Sequence, residues 1–215
     1  MFLCGQLKLT DKGGNDMPLT PDIKKWFDFQ IRKYDSTETI IKIDDATNII
    51  QYTSKLQSDE SLIKEQQPEE YVHALFLCML CSKKYGYRIE KIYHEQHFQR
   101  GSSGAKDDEA DYVLYDEDNL PYALIELKPY DLYNQKRIEE RAIRYQLFAT
   151  APLAKSPLLL VYGSIDPSGE NPELIVKCID YTQYKSYESW IDAGTPYSST
   201  FPVDYQDITY EPCNA

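Results

Sequence analysis

Residues 110–128 read ADYVLYDEDNLPYALIELK, and the fold turns on how this stretch is read. Two apolar runs flank a polar turn, Asp116-Glu117-Asp118-Asn119. Asp111-Tyr112-Val113-Leu114-Tyr115 is rich in β-branched and aromatic side chains, which favour a strand. Residues 122–128 make a second strand, closed by Pro129, which has no N–H to give to a ladder. Side chains alternate along a strand, so Glu126 and Lys128 share one face while Leu127 points to the other. Antiparallel pairing brings Asp111, which opens the first strand, to the end where Glu126 closes the second. Two carboxylates and one ammonium therefore converge at one end of a hairpin.

Paired carboxylates can hold a hard divalent cation through oxygen and leave room for water and a phosphate. Such a cation makes hydroxide available near neutral pH. A lysine beside it can orient water or offset the negative charge that builds on phosphorus. The plainer alternative is an exposed Glu–Lys pair on a strand and an aspartate at a turn. Context has to decide between the two.

The chain has 215 residues, 42% hydrophobic, which suits one domain with a sizeable core. The longest apolar run, residues 74–81, is far short of the roughly twenty needed to span a bilayer. No basic segment followed by an apolar one opens the chain, so neither a secretion signal nor a membrane partner is expected. Five cysteines at irregular spacing suggest free thiols in a reducing, cytoplasmic compartment. The net charge of −12 and pI near 4.7 oppose tight, free-standing DNA binding, which requires Lys and Arg to neutralise phosphates. They leave room for a domain whose duplex is held by a partner.

Residues 1–20 read as a loose arm and residues 22–29 as a short helix. Residues 39–43 and 48–52 read as a small hairpin, and the polar residues 57–67 as a linker or the approach to a helix. Residues 68–85 give the strongest helix signal. Pro68 suits its first position, Glu69 and Glu70 complement the positive end of the dipole, and Gly86 stops it. Its middle is apolar nearly all round, so it should be buried, with Cys78 and Cys81 as inert thiols. Residues 87–98 read as a strand and residues 100–108 as a Gly/Ser loop. His94 and His97 fall on opposite faces of that strand, so they make a poor metal pair, and a histidine-based metal site is not expected. Residues 133–149 read as a helix on which Arg137, Arg141 and Arg144 share a face. That face could meet a phosphate backbone or pair with Glu139 and Glu140. Residues 157–163 and 173–179 read as strands and residues 181–193 as a helix. The tail beyond is irregular.

Four pieces, in this order, resemble the N-terminal nuclease domain of type I restriction R subunits within the PD-(D/E)xK nuclease superfamily. They are Pro68-Glu69-Glu70-Tyr71-Val72; Tyr85-Gly86-Tyr87 with Ile92 and Glu95; Ala110-Asp111-Tyr112-Val113-Leu114-Tyr115; and Ile125-Glu126-Leu127-Lys128. The resemblance covers about residues 68–162. It implies an α/β, restriction-endonuclease-like fold with a mixed central sheet flanked by helices. The core would span 67–180, with accessory elements at 1–66 and a helix and tail at 181–215.

The resemblance also implies roles. Asp111 and Glu126 would bind Mg²⁺, or Mn²⁺ in its place, with the backbone carbonyl of Leu127 and the helix residue Glu70 as further ligands. Glu69 is the alternative to Glu70, and Glu95 a weaker candidate. Lys128 would act on the attacking water or the transition state. Arg141, Arg144 and Tyr145 would contact DNA. The family's Gln-x-x-x-Tyr is altered, since Arg141 stands at the Gln position four residues before Tyr145. Implied partners are DNA and the helicase, methyltransferase and specificity subunits of a restriction complex. The expected function is metal-dependent DNA endonuclease activity in restriction or defence. The alternatives are an inactive scaffold that kept the fold, and a nuclease acting on RNA or in repair.

Overall fold

A computed structural model of the chain describes residues 19–100, 107–133, 135–155 and 157–202. Most of the 1–20 arm, the centre of the 100–108 loop and the tail beyond Pro202 lie outside the described residues.

Helix α1 (Pro21–Tyr34) runs further than the expected 22–29. Thr20 caps its start by accepting a hydrogen bond from the Ile23 N–H, and Pro21 occupies the first turn. At its far end the carboxylate of buried Asp35 accepts backbone N–H groups of Thr39, Ile40 and Ile41 at 2.7–2.9 Å. That fixes the entry into β1 (Ile41–Asp44). β1 pairs with β2 (Ile49–Tyr52), the small hairpin expected from the sequence.

The supposed linker at 57–67 is instead two short strands. β3 (Gln57–Ser58) joins the edge of the main sheet, and β4 (Ile63–Glu65) pairs with β2. Edge strands satisfy only backbone groups and leave their side chains in water, so a polar sequence is no obstacle.

Helix α2 (Pro68–Leu80) is buried from Glu70 to Leu80, as its all-round apolar sequence requires. It ends five residues earlier than expected. The Ser82 hydroxyl donates to the Met79 carbonyl at 2.6 Å, and Ser82, Lys83 and Lys84 turn toward solvent before Gly86 at φ 75°. A 3₁₀ turn (Ile89–Lys91) then leads into β5 (Ile92–Phe98).

The central hairpin is β6 (Asp108–Tyr115) and β7 (Pro121–Leu127). Tyr112 lies opposite Ile125 and Val113 opposite Leu124. Continued outward by one pair, this register sets Asp111 against Glu126. Beyond β7, helix α3 (Lys136–Arg141), a π-helical turn (Ala142–Leu147) and α4 (Phe148–Thr150) form one path back to β8 (Leu159–Asp166). β8 is parallel to β7 and pairs antiparallel with β9 (Glu173–Asp180). Gly163 lets β8 lie close to β9, since a Cβ there would come within 3.1 Å of Val176 and 3.2 Å of the Ile175 carbonyl. Helix α5 (Tyr187–Asp192) is shorter than the expected 181–193.

The main sheet runs β3-β5-β6-β7-β8-β9, with parallel and antiparallel pairs mixed. On one face it buries α1, α2 and the small sheet β1-β2-β4. On the other it buries the α3–π–α4 path and α5. This is a restriction-endonuclease-like α/β arrangement. Each fully buried Leu, Ile or Phe of these two layers contributes about 1.5–3 kcal/mol. Among the described residues no helix is long and apolar enough to cross a membrane.

Candidate active site

Two strands depart from strict alternation where the site lies. Ile92 packs in the core under α2, whereas Phe98, an even number of residues away, packs in the opposite core. Tyr112 and Leu114 face α2, whereas Ala110 faces the other layer. β5 and β6 therefore exchange faces together at Glu95 and Asp111, and Glu95 carries a left-handed backbone, φ 47°. A non-glycine residue held there costs of order 1–3 kcal/mol, and such strain clusters at working sites.

At the acidic end of the hairpin Asp111, Glu126 and Lys128 lie close together. Asp111 Oδ2 accepts the backbone N–H of Leu127 at 2.5 Å. Glu126 is 2% exposed, and its Oε1 accepts from the Lys128 ammonium. Glu69 Oε1, from the first turn of α2, stands 4.0 Å from the same nitrogen.

Burial pushes the Asp111 carboxyl up, with Lys128 and the Leu127 N–H pulling against it. Burial, reinforced by Asp111, pushes Glu126 well above the usual carboxylate range. Burial disfavours the Lys128 charge, but Glu126 and Asp111 outweigh it and raise its pKa. Two buried carboxylates that repel each other against one ammonium are electrostatically incomplete, and a divalent cation offsets that repulsion. The oxygen-only donor set fits Mg²⁺ or Mn²⁺.

Glu70, which the resemblance makes a further metal ligand, has Tyr52, His73 and His94 as its neighbours. Its Oε1 accepts the Tyr52 hydroxyl, and burial raises its pKa to about 7. Its carboxylate gathers with the rings of His73 and His94, all three offering donor atoms within 4.8 Å of one another. Burial lowers His73 to about 4 and His94 well below the ordinary imidazole value, so both rings are neutral. His73 Nε2 stands 3.7 Å from Asp111 Oδ2.

The expectation of no histidine cluster rested on pairing His94 with His97, and the partner is His73 instead. The available signal was the Glu70–His73 spacing of three on α2, which puts both on one helix face. That His94 would meet them depends on a strand–helix contact that local sequence does not encode. Glu95 remains near the group, paired with Lys64, and burial raises its carboxyl.

On the other face a cleft of about 500 Å³ is lined by Lys128, Ile138, Arg141, Tyr145 and Gln146. Its two charged residues are both cations, in a protein of net charge −12. Tyr145 is 58% exposed, which is unusual for so large an aromatic side chain. Arg144 is drawn to α5, where it meets Glu188 at 3.4 Å and stacks over Tyr187 at 5.2 Å. The π turn adds a residue to the helical turn and rotates the residues beyond it, so Arg141 and Arg144 do not share surroundings. Glu139, one expected partner of the arginines, pairs instead with Lys177 at 2.6 Å.

Residues 68–155 match the model for the type I restriction enzyme R protein N terminus. No curated protein matches the chain. The R-protein match begins at Pro68, the first residue of α2, and takes in Asp111, Glu126, Lys128 and the π turn. β8, β9 and α5 lie beyond it. The similarity to the R-protein N terminus points to a nuclease-like domain of a restriction system, a setting in which divalent metals are the rule.

Cys78 in α2 and Cys81 at its C-cap are held as protonated thiols. Cys78 is fully buried, and burial drives its thiol well above the ordinary value and that of Cys81 to about 12. Thiols held protonated in this way are poor nucleophiles and poor metal ligands.

Proposed function

We propose that the chain is a divalent-metal-dependent DNA endonuclease domain of a restriction system. One observation carries the reading. Asp111, Glu126 and Lys128 meet at one end of β6 and β7, Glu126 buried and the other two half-buried, within the segment similar to the R-protein N terminus. Asp111, Glu126 and the Leu127 carbonyl would hold Mg²⁺ or Mn²⁺, and Glu70, gathered with His73 and His94, stands beside that set rather than in it. When bound, the cation supplies Lewis acidity to the phosphate and lowers the pKa of water.

The chain's own residues do the rest. Glu126 holds the Lys128 ammonium in place. Lys128 stays charged, and it orients the attacking water and offsets charge developing on the phosphate oxygens. The water oxygen bonds to phosphorus as the bond to the leaving sugar oxygen breaks, with no covalent enzyme intermediate. Arg141 and Tyr145 line the cleft that opens on Lys128 and contact the DNA backbone there, with Arg144 behind them. An arginine at the position of the family glutamine makes that contact ionic. The acidic remainder of the surface leaves capture of the duplex to partner subunits of a restriction complex.

The test is incubation with Mg²⁺ or Mn²⁺ and, separately, linear duplex, circular duplex, single-stranded DNA and RNA. The expected result is metal-dependent cleavage of duplex DNA, abolished by a chelator. Preferential cleavage of RNA would replace the substrate. An absence of cleavage even with the partner subunits present would favour the scaffold reading.

A further inference from the structure

We propose that Glu70, His73 and His94 form a second cation site, rich in nitrogen, suited to Zn²⁺, Co²⁺ or Ni²⁺ and distinct from the all-oxygen pair Asp111 and Glu126. The inference does not depend on nuclease activity. Three elements supply its donors: α2 gives Glu70 and His73, β5 gives His94, and β2 holds the carboxylate through the Tyr52 hydroxyl.

The observation that points to a ligand is the state of the rings. His73 and His94 are 4% and 0% exposed, and none of their four nitrogens has a hydrogen-bond partner among the described residues. A single buried polar group without a partner costs about 1–3 kcal/mol. Two unpartnered rings that each bring one nitrogen within 4.8 Å of the other and of a Glu70 oxygen mark a position for a species that accepts lone pairs.

The rings are held in place by packing. His94 lies against Tyr52 and Tyr112, with ring centroids at 4.7 and 4.8 Å, and His73 meets His94 edge-on at 5.8 Å. Each ring also has a carboxylate beside one nitrogen. His94 Nδ1 stands 3.9 Å from Glu95 and His73 Nε2 3.7 Å from Asp111. Metal-ligating histidines commonly turn their second N–H to a carboxylate. The opposite nitrogen of each ring is then left for the cation. Donors around a tetrahedral ion with bonds of about 2.0–2.1 Å lie roughly 3.4 Å apart. The donor atoms lie within 4.8 Å of one another, so binding such an ion would draw them inward by about 1 Å. Imidazole nitrogen with one carboxylate selects a borderline transition metal over Mg²⁺. Asp111 borders both sites, so occupancy of one would be felt at the other.

The experiment is titration of chelator-stripped full-length protein with Co²⁺, read by visible absorption and calorimetry. The Glu126→Gln variant should retain one equivalent, whereas a Mg²⁺ site built on Glu126 should be lost in it. His94→Phe keeps a ring between the two tyrosines and should weaken that equivalent by more than roughly 100-fold. Without metal, it should melt no lower than the wild type, because the unpaired nitrogens are gone. If it fails to fold, His73→Leu carries the same prediction. Co²⁺ retained with unchanged affinity in the histidine variants would overturn the site. So would a Glu126→Gln protein that binds none, which would leave the orphaned nitrogens to buried water.

Discussion

Glu70 and His73 are one helical turn apart on α2 and are perturbed in ways that oppose each other in pH. Burial raises Glu70 to about 7, above its unfolded value, so the folded state keeps a proton there that the unfolded chain releases. Stability from this group is present below pH about 4.5 and is lost as pH rises toward 7. Burial lowers His73 to about 4, so its contribution has the opposite slope. It is present above pH about 6.5 and is lost as pH falls toward 4. Glu70→Gln keeps an acceptor for Tyr52 and removes only the first effect. In the presence of a chelator, its stability relative to wild type should improve by on the order of 2 kcal/mol between pH 5 and pH 8. A difference flat in pH, read by denaturant unfolding, would contradict the assigned burial. The same scale shows what a sequence reveals of a site. That Asp111, Glu126 and Lys128 would lie near one another was legible because an antiparallel hairpin brings the start of its first strand to the end of its second. His94 was not, because its neighbours come from α2 and β2, and no local period links them.

At the scale of elements, the α3–π–α4 path was legible as a helix from its apolar spacing, but its basic face was not. A regular helix puts Arg137, Arg141 and Arg144 on one side, whereas the π turn between Ala142 and Leu147 sends Arg144 to Glu188 and Tyr187. The two arginines should therefore behave differently. Arg141→Ala should weaken DNA binding uniformly across sequences and reduce the salt-dependence slope by about 1. Arg144→Ala should leave that slope unchanged and instead lower the melting temperature slightly, by loosening α5. Equal loss of DNA affinity in both variants would return Arg144 to the interface. The strands β3 and β4 were illegible for a different reason. They pair only at edges, so nothing selects apolar side chains there, and polar residues at 57–67 read as linker.

At the scale of the whole molecule, the fold concentrates unlike charges in a few places on an otherwise acidic surface. The sheet gathers Asp111, Glu126 and Lys128 at one end, and the helical path lays Arg141 beside Lys128 along the adjoining cleft. Most of the strands and helices could be read from the order of apolar runs and their punctuation by Pro and Gly, whereas their arrangement into a mixed sheet flanked by helices came from the resemblance carried by residues 68–162. The proposed activity stands or falls on Asp111, Glu126 and Lys128 acting together in phosphodiester hydrolysis. The decisive measurement is single-turnover cleavage of duplex DNA against Mg²⁺ concentration, for wild type, Asp111→Asn, Glu126→Gln and Lys128→Met, each shown to be folded. Rates should fall by about 10³-fold or more in all three variants. Raised Mg²⁺ should partly restore the two carboxylate variants and not Lys128→Met. Cleavage that persists at the wild-type rate in any of the three would contradict this assignment.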